Sequence, residues 1–167
     1  MAARTSLRDY QRELAERLRN AQVGAAASML GVQVDDEPWL IDLREAGEVI
    51  PMPPITPLPL TRPWFKGVAN IRGNLYSVVD FPAFLQKRPV AQGDQARLLL
   101  LGERFRLGAA LLIDRSLGLR NPEKLERRQG ALPAWVRAQY ADAEGRLWKE
   151  LDVSQLAQHP DFLGVGV

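Results

Sequence analysis

The chain contains 167 residues, no cysteine, and 22 basic against 20 acidic side chains, which gives a net charge of +2. One domain with its own apolar core fits this length, and the lack of cysteine excludes disulfides, thiolate metal sites and a cysteine nucleophile. We expect no secretory leader, and the sequence contains no apolar run of the roughly 20 residues that a membrane helix requires. We therefore expect a cytoplasmic protein that does not insert directly into the membrane.

Basic and acidic residues are interleaved along the chain. The arginines between residues 4 and 19 alternate with Asp9, Glu13 and Glu16. Binding of nucleic acid through its phosphates needs basic residues concentrated on one face. We therefore expect a solvated surface of mixed charge and no nucleic-acid partner.

Residues 6–23 are predicted to form an amphipathic helix within an N-terminal extension, residues 1–26. Ser6 and Asp9 resemble a capping box, and apolar residues recur at steps of three and four, which places them on one helical face. The members of this apolar stripe are Leu7, Tyr10, Leu14, Leu18 and Ala21. Because a helix with so narrow a stripe is stable only when docked, we expect it to pack on its own domain. A helix of another chain is the alternative partner.

Short strands dominate the rest of the sequence. Residues 29–34 and 39–43 indicate a strand pair around an acidic turn, and the prolines between 51 and 63 predict a stiff extended loop. Strand pairs are then predicted at 64–81, 96–113 and 132–152, a loose polar segment at 83–95, a solvated segment with marginal helix content at 114–130, and a short helix at 153–159. Many short strands with brief helices favour barrels over a doubly wound sheet, so the predicted fold class is mainly β.

Few residues indicate catalysis. Asp80 and Asp114 each follow an apolar strand, where they form either an acid–base pair or, more commonly, caps of the next turn or helix. The single histidine, His159, is interpreted as a surface residue. The carboxylates are too scattered to predict a metal site. We expect no metal, no cofactor and no enzymatic activity.

One motif indicates a family. Residues 67–74 read GVANIRGN and precede an apolar strand that ends at Asp80-Phe81. This run resembles the central motif of CheW-like domains, the scaffolds that couple bacterial chemoreceptors to a histidine kinase. Upstream, residues 48–50 and 55–59 stand in the order that the family shows, and the later strands follow downstream.

The resemblance covers about residues 27–158. We predict a CheW-like domain at 27–160, followed by a C-terminal tail at 161–167. Within the family, the amino-acid sequence of residues 55–74 and the N-terminal helix are most similar to the PilI-type adaptors of type IV pilus (twitching motility) systems. Ala69 departs from the family pattern, because chemotaxis CheW proteins usually carry isoleucine there.

The resemblance implies a fold and two partners. The fold consists of two SH3-like five-stranded β-barrels with short helices. A methyl-accepting chemoreceptor would place its signalling tip in the groove between the barrels, and the regulatory domain of a CheA-type histidine kinase would bind the end of one barrel. The protein would then be recruited from the cytoplasm to membrane-bound receptor arrays.

The resemblance also suggests binding residues. Arg72, held at a tight turn, would present its guanidinium to an acceptor on the receptor or tie neighbouring loops together. Gly73 would permit a positive φ or a close approach of the partner, and Asn70 would hold the turn through the local backbone. Ile71 and Val49 would supply apolar contact area.

The function expected from these residues is that of a non-enzymatic signal-transduction adaptor in twitching motility. Two alternatives remain open at this point. One is the CheW coupling protein of flagellar chemotaxis, which has different partners. The other is a small enzyme that uses Asp80 or Asp114, for which a deep polar pocket joining the two carboxylates would be the sign.

Overall fold

The computed structural model describes residues 7–27 and 29–167. The helices are α1 (Leu7–Ala27), α2 (Phe81–Phe84), α3 (Val153–Gln158) and α4 (Pro160–Leu163). The strands are β1 (Met29–Val34), β2 (Glu37–Asp42), β3 (Ala46–Pro51), β4 (Phe65–Ile71), β5 (Asn74–Asp80), β6 (Arg97–Leu101), β7 (Ala109–Ile113), β8 (Arg115–Arg120), β9 (Glu126–Arg128), β10 (Val136–Ala141) and β11 (Leu147–Leu151). Ser6, half of the predicted capping box, lies outside the described residues.

Within the described residues the strands form two mixed sheets. Sheet 1 has the order β8-β1-β2-β11-β10-β9, and sheet 2 has the order β3-β6-β7-β5-β4. Neighbouring strands are antiparallel except for the parallel pairs β2–β11 and β5–β7. Sheet 1 therefore takes strands from both ends of the domain, with sheet 2 inserted between them. The prediction of a mainly β fold built of two units is confirmed; sheet 2 has the expected five strands, and β9 adds a sixth to sheet 1.

The segment 114–130 differs from its prediction. Instead of a solvated segment with marginal helix content, it contains β8, which pairs with β1, and β9, which pairs with β10. Most side chains of β8 and all of β9 are exposed, so these edge strands lack the alternating apolar pattern that normally reveals a strand. Backbone hydrogen bonds to the neighbouring strand, which leave no such pattern in the sequence, hold them in place.

The largest apolar core lies between the two sheets. β7 shows how the chain builds it: Leu111 and Ile113 face this core, while Ala110 and Leu112 point to the opposite side of the strand. Because both faces of β7 are buried, its sequence is a continuous apolar run. The core draws on both sheets and on the C-terminal helices, and its fully buried members include Val32, Leu99, Leu111, Leu151 and Leu156.

Each sheet also curls around a smaller core of its own. In sheet 1, Met29, Leu40 and Trp148 form a cluster that Leu117 of β8 and Leu125, next to β9, help to cover. These two covering residues come from the two edges of the sheet, so the edges approach each other. A corresponding cluster in sheet 2 contains Ala69, Ile71, Val78, Leu98, Leu100, Ala110 and Leu112. The curl is the feature expected of SH3-like units.

The described side chains of α1 do not contribute to these cores. The side chains described for this helix, those of residues 7–18, are all exposed. The expectation that its apolar stripe packs on its own domain is therefore wrong for these residues; Ala21 lies outside the described side chains. The sheets bury their apolar faces against each other and inside their own curls, without the described side chains of α1. No described helix is long and apolar enough to cross a membrane.

A buried carboxylate connects the sheets at one end of the shared core. Glu45, in the turn between β2 and β3, is only 4% exposed. Its Oε1 accepts a hydrogen bond from Nη2 of Arg137 at 2.5 Å, and its Oε2 accepts the backbone N–H of Val153 at 3.2 Å. Nη2 of Arg137 also lies 3.2 Å from Oδ1 of Asp152. Burial lowers the pKa of Arg137, but its bonds to Glu45 and Asp152 outweigh this effect and raise the pKa.

Replacing Arg137 with methionine should destabilise the fold, because the buried Glu45 would lose its main counter-charge while the aliphatic bulk is kept. We expect a loss of about 2 kcal/mol in the free energy of unfolding, less than for a fully buried pair because Arg137 is partly exposed. Urea denaturation measures it. Arg128→Met, at an exposed ion pair on β9, serves as the control. Equal stability of the Arg137 variant and wild type would show that Glu45 does not depend on this partner.

The proline-rich segment is an extended loop, as predicted, and it pairs with β4. Backbone hydrogen bonds join Thr56 and Val68 in both directions, at 2.8 and 2.9 Å. Gly67 makes this approach feasible: its φ is +133°, and an added Cβ would lie 2.0 Å from the carbonyl oxygen of Thr56. Farther along, Leu60 and Arg62 pair with the C-terminal residues 165–167.

Gly67→Ala should therefore displace the proline-rich segment from β4. We expect a destabilisation of about 3 kcal/mol or more, because the clash is with backbone atoms that have little freedom to move. Thermal unfolding followed by circular dichroism measures the change. Gly130→Ala is the matched control, since a Cβ there would meet no atom within 4 Å. Similar melting of both variants would contradict a close approach at Gly67.

Candidate functional site

The turn between β4 and β5 has an unusual backbone. Ile71 pairs with Asn74, and the two residues between them, Arg72 and Gly73, have φ angles of +52° and +85°. Positive φ at both central positions defines a type I′ hairpin turn, where arginine is uncommon. Oδ1 of Asn70 accepts the N–H of Gly73 at 2.9 Å and so holds the turn. The arginine is thus fixed at a strained position, a feature that concentrates at functional sites.

The guanidinium of Arg72 joins the two edges of sheet 2. Its Nη2 donates a hydrogen bond to Oε1 of Glu48 at 2.5 Å. Glu48 belongs to β3, which lies at the opposite edge of the sheet from β4, so the pair spans the opening of the curl. The hydrogen bond from Arg72 lowers the pKa of Glu48, and the same bond raises the pKa of Arg72.

The pair remains accessible to a partner. The side chains of Arg72 and Glu48 are 69% and 43% exposed. Exposed ion pairs add little to stability, so the contact orients the two groups more than it holds the fold. Donors of the guanidinium other than the one bonded to Glu48 can therefore reach an acceptor on a second protein.

A shallow depression of about 280 Å³ lies beside this pair. Its lining combines the ion pair with apolar and aromatic groups: Gly47, Glu48, Ile71, Arg72, Asn74, Tyr76, Leu100, Leu101 and Glu103. Leu75, next to the turn, is 65% exposed. Arginine and tyrosine around an apolar floor are typical of protein-binding surfaces.

The structure brings most of the predicted site residues together. Asn70, Arg72 and Gly73 form the turn itself, and Ile71, 8% exposed, lines the depression from inside the curl. Val49 differs, because it packs against the core between the sheets. Sequence reasoning did not select Glu48 as a site residue, although it noted residues 48–50 as part of the family pattern. Only the curl of sheet 2 brings Glu48 to Arg72.

A second depression, of about 660 Å³, lies where the two sheets meet. The aromatic side chains of Trp64, Phe84 and Trp135 line it together with Glu37 and Lys149. Trp64 and Phe84 pack edge to face with ring centroids 5.2 Å apart. This surface combines aromatic and charged groups, as protein-binding grooves do.

Glu37 links the two sides of this depression. Its carboxylate lies 3.1 Å from Nζ of Lys149 and 3.2 Å from Nζ of Lys87, which follows α2. Partial burial raises the pKa of Glu37, but the bonds from the two lysines outweigh burial, and the net pKa lies below its ordinary value. The folded state therefore favours the ionised carboxylate.

This shift predicts a pH-dependent effect of Glu37→Gln. The ionised pair stabilises the fold above the unfolded pKa, near 4.5, and this contribution is lost as the pH falls through the lower folded value. The stability difference between wild type and Glu37→Gln should be largest near neutral pH and shrink in acid. Urea denaturation at several pH values measures it, with Glu144→Gln in the exposed β10–β11 turn as control. A difference independent of pH would contradict the ion pair.

The two strand-end carboxylates accept backbone N–H groups. Asp80 is fully buried, and its oxygens accept the N–H groups of Ala83, at the start of α2, and Val90, both at 3.0 Å. Asp114 accepts the N–H of Asp35 at 2.6 Å; its pKa is raised, mainly by burial. Neither lines either of the two depressions. Asp80 matches the predicted cap of the next helix, whereas Asp114 holds the β1–β2 turn, 79 residues earlier in the chain.

The remaining candidates do not form a chemical centre. Nδ1 of His159 accepts the N–H of Asp161 at 3.2 Å and so caps α4, and its ring packs edge to face on Trp135. Among the described residues, no group of three or more His, Asp or Glu side chains is arranged to hold a metal ion.

Comparison with known proteins identifies the family. The family model of the CheW-like domain matches residues 28–161. The chain is 30% identical over 146 residues to Protein PilI of Pseudomonas aeruginosa, an alignment that covers 84% of this chain and 80% of PilI. The crystal structure of the scaffolding protein TtCheW from Thermoanaerobacter tengcongensis superposes with a TM-score of 0.63 at 17% identity, covering 75% of this chain and 88% of TtCheW. At that identity the structural match establishes the fold.

Proposed function

Because this chain belongs to the CheW-like domain family, we propose that it is a non-enzymatic adaptor that couples a methyl-accepting chemoreceptor to a CheA-type histidine kinase. The observation that carries the proposal is the β4–β5 turn, which holds Arg72 at a strained position beside an apolar-lined depression. Such a surface suits recognition of a protein rather than conversion of a substrate.

The similarity to PilI supports a role in the control of type IV pili and twitching motility. A coupling protein of flagellar chemotaxis would use the same kind of binding surface for different partners. The two pathways differ in which receptor and which kinase the chain binds. Measuring whether the chain binds the receptor and kinase encoded beside it or those of the flagellar system therefore distinguishes the pathways. We favour the pilus pathway on the strength of the PilI alignment.

Each residue of the proposed receptor-side surface has a physical role. Arg72 offers charge-assisted hydrogen bonds to an acceptor on the receptor, and Glu48 orients it. Asn70 and Gly73 keep the turn in its I′ conformation. Ile71 contributes to the apolar floor of the depression. Val49 would act indirectly, by fixing β3 against the core.

The adaptor proposal also accounts for the accessible groove between the sheets. The family resemblance leads us to expect the receptor tip in this groove, where the aromatic groups around Trp64 and Trp135 supply the kind of area that helix-in-groove recognition uses. The lining of the groove shares no residue with the depression beside Arg72, so Arg72 would be a contact of the receptor outside the groove. Binding of a membrane-bound receptor would recruit the chain to receptor arrays on the cytoplasmic side. Asp80 and Asp114, both committed to backbone N–H groups, give the enzyme alternative no specific support.

Arg72→Ala should weaken binding of the receptor's cytoplasmic signalling fragment about tenfold, because a charged hydrogen bond to the partner is lost. Folding should be preserved, since the pair with Glu48 is exposed. Isothermal titration with the fragment of a receptor encoded beside this gene measures the affinity, and circular dichroism checks the fold.

Arg128→Ala is the matched control, because Arg128 also lies in an exposed ion pair, on the edge of sheet 1. Receptor binding that is unchanged by Arg72→Ala would remove this turn from the interface. Unfolding of Arg72→Ala would instead assign the residue a structural role, as the tie between β3 and the β4–β5 turn. Absence of binding by the wild type to receptor and kinase fragments alike would contradict the adaptor function.

A further inference from the structure

A small polar depression lies where the chain crosses from sheet 2 to sheet 1. Its volume is about 270 Å³, and Gln95, Arg97, Arg115 and Ser116 line it. At about 30 Å³ for each water molecule, this space can hold a group of several heavy atoms. Every lining side chain is polar, two are cationic and none is acidic. The lining therefore suits a negatively charged ligand.

Each sheet contributes one of the two arginines. Arg97 begins β6 of sheet 2 and pairs with Ile113, the last residue of β7. Arg115 begins β8 of sheet 1, two residues after Ile113. The crossing of the chain at Asp114 thus brings the two arginines to one depression. Because like charges repel each other, an anion placed between them would relieve this repulsion.

No carboxylate of the domain neutralises the two arginines. Among the residues that the structure describes, neither Arg97 nor Arg115 forms an ion pair. The nearest acid in sequence to Arg115 is Asp114, whose Oδ2 accepts the backbone N–H of Asp35 at 2.6 Å. Asp114 does not line the depression. The depression therefore keeps its positive charge for a ligand.

Backbone carbonyls hold the guanidinium of Arg97. Its Nη1 donates hydrogen bonds to the carbonyl oxygens of Asp94 at 2.6 Å and Ala96 at 2.9 Å. Both bonds use the same nitrogen, so Nη2 and Nε keep N–H groups for a ligand. A side chain that is ordered in advance loses less conformational entropy when the ligand binds. Arg97 is therefore a preorganised donor.

The neutral residues of the lining add further donors. Oγ of Ser116 accepts the N–H of Gly118 at 3.4 Å, which leaves its own O–H proton for a ligand, and the amide of the exposed Gln95 can also donate. One arginine can satisfy both oxygens of a carboxylate. A phosphate monoester presents three acceptor oxygens and up to two negative charges, so it makes fuller use of two cations and two neutral donors.

The size of this cluster argues against nucleic acid and lipid surfaces. Such ligands present many phosphates and are bound by basic residues spread over a whole face. Here two arginines share one depression, and the chain as a whole has 22 basic against 20 acidic side chains. The arrangement therefore favours a single phosphate group.

We propose that the depression lined by Arg97 and Arg115 binds one phosphate monoester group. The two guanidiniums bind its oxygens through charge-assisted hydrogen bonds, and Ser116 and Gln95 are additional donors. The bound group would connect β6 of sheet 2 to β8 of sheet 1. It belongs either to a free phosphate compound or to a phosphorylated side chain of another protein. This inference does not depend on the proposed adaptor function, because neither arginine lines the groove or the depression beside Arg72.

The first test compares thermal unfolding of the full chain in inorganic phosphate and in sodium chloride at equal ionic strength, with isothermal titration for the affinity. Wild type should melt at a higher temperature in phosphate, because a ligand that binds only the folded state stabilises it. Arg97→Gln and Arg115→Gln should each weaken phosphate binding at least about tenfold, since a charged hydrogen bond is lost. Their melting in chloride checks that they fold.

Arg127→Gln is the matched control, because Arg127 is an exposed arginine of β9 outside the depression. Phosphate also stabilises proteins without binding them, through exclusion from their surface. The stabilisation due to the site is therefore the part that Arg97→Gln and Arg115→Gln lose and Arg127→Gln keeps. A wild type that phosphate stabilises no more than these two variants overturns the proposal.

The second test identifies the source of the phosphate by isothermal titration with a short phosphoserine peptide, its unphosphorylated form, acetate and a single-stranded oligonucleotide. A phosphoserine peptide that binds more tightly than inorganic phosphate would indicate a phosphorylated protein. An affinity no higher than that of inorganic phosphate would indicate a free phosphate compound. Acetate that binds as tightly as phosphate, an oligonucleotide that binds more tightly, or equal binding of both peptides would overturn the assignment to a phosphate monoester.

Discussion

The apolar core between the two sheets is the constraint on which the rest of the structure depends. It contains side chains of both sheets and of the C-terminal helices, with Leu99, Leu111 and Leu151 fully buried. Because sheet 2 is inserted between the strands of sheet 1, this core fixes how the two curled units face each other. The bond between Arg137 and Glu45 adds a directional contact at its edge. An apolar core alone is nondirectional, so such a contact helps to define one relative orientation.

The two packed sheets hold the candidate site in position. β7, buried on both faces, lies at the centre of sheet 2 and supports the hairpin whose tip carries Arg72. The same curl that closes the small core brings Glu48 to that tip. The carboxylates that resemble catalytic groups in the sequence, Asp80 and Asp114, instead accept hydrogen bonds from backbone N–H groups. Asp80 is also fully buried. The frame thus presents surfaces whose shape and charge are fixed, which is what the proposed coupling function requires.

Much of this arrangement could be predicted from local sequence. The turn at Arg72-Gly73, the strands on either side and the family motif follow from short-range patterns, and so does the extended proline-rich loop. The edge strand β8 could not be recognised, because its pairing uses backbone groups while its side chains face solvent. The partner of Arg72 was equally hidden, since Glu48 is distant in sequence and only the curl brings it near. For α1, periodicity revealed the stripe, but no sequence pattern shows whether a face is covered.

The central claim is that one chain binds a receptor and a kinase at the same time. The most direct measurement is size-exclusion chromatography with light scattering on three purified components: this chain, the signalling fragment of a chemoreceptor encoded beside it, and the regulatory domain of the neighbouring histidine kinase. The account predicts one complex that contains all three, in which the kinase domain co-elutes with the receptor fragment only when this chain is present. Displacement of one partner by the other, or binding of neither, would contradict it.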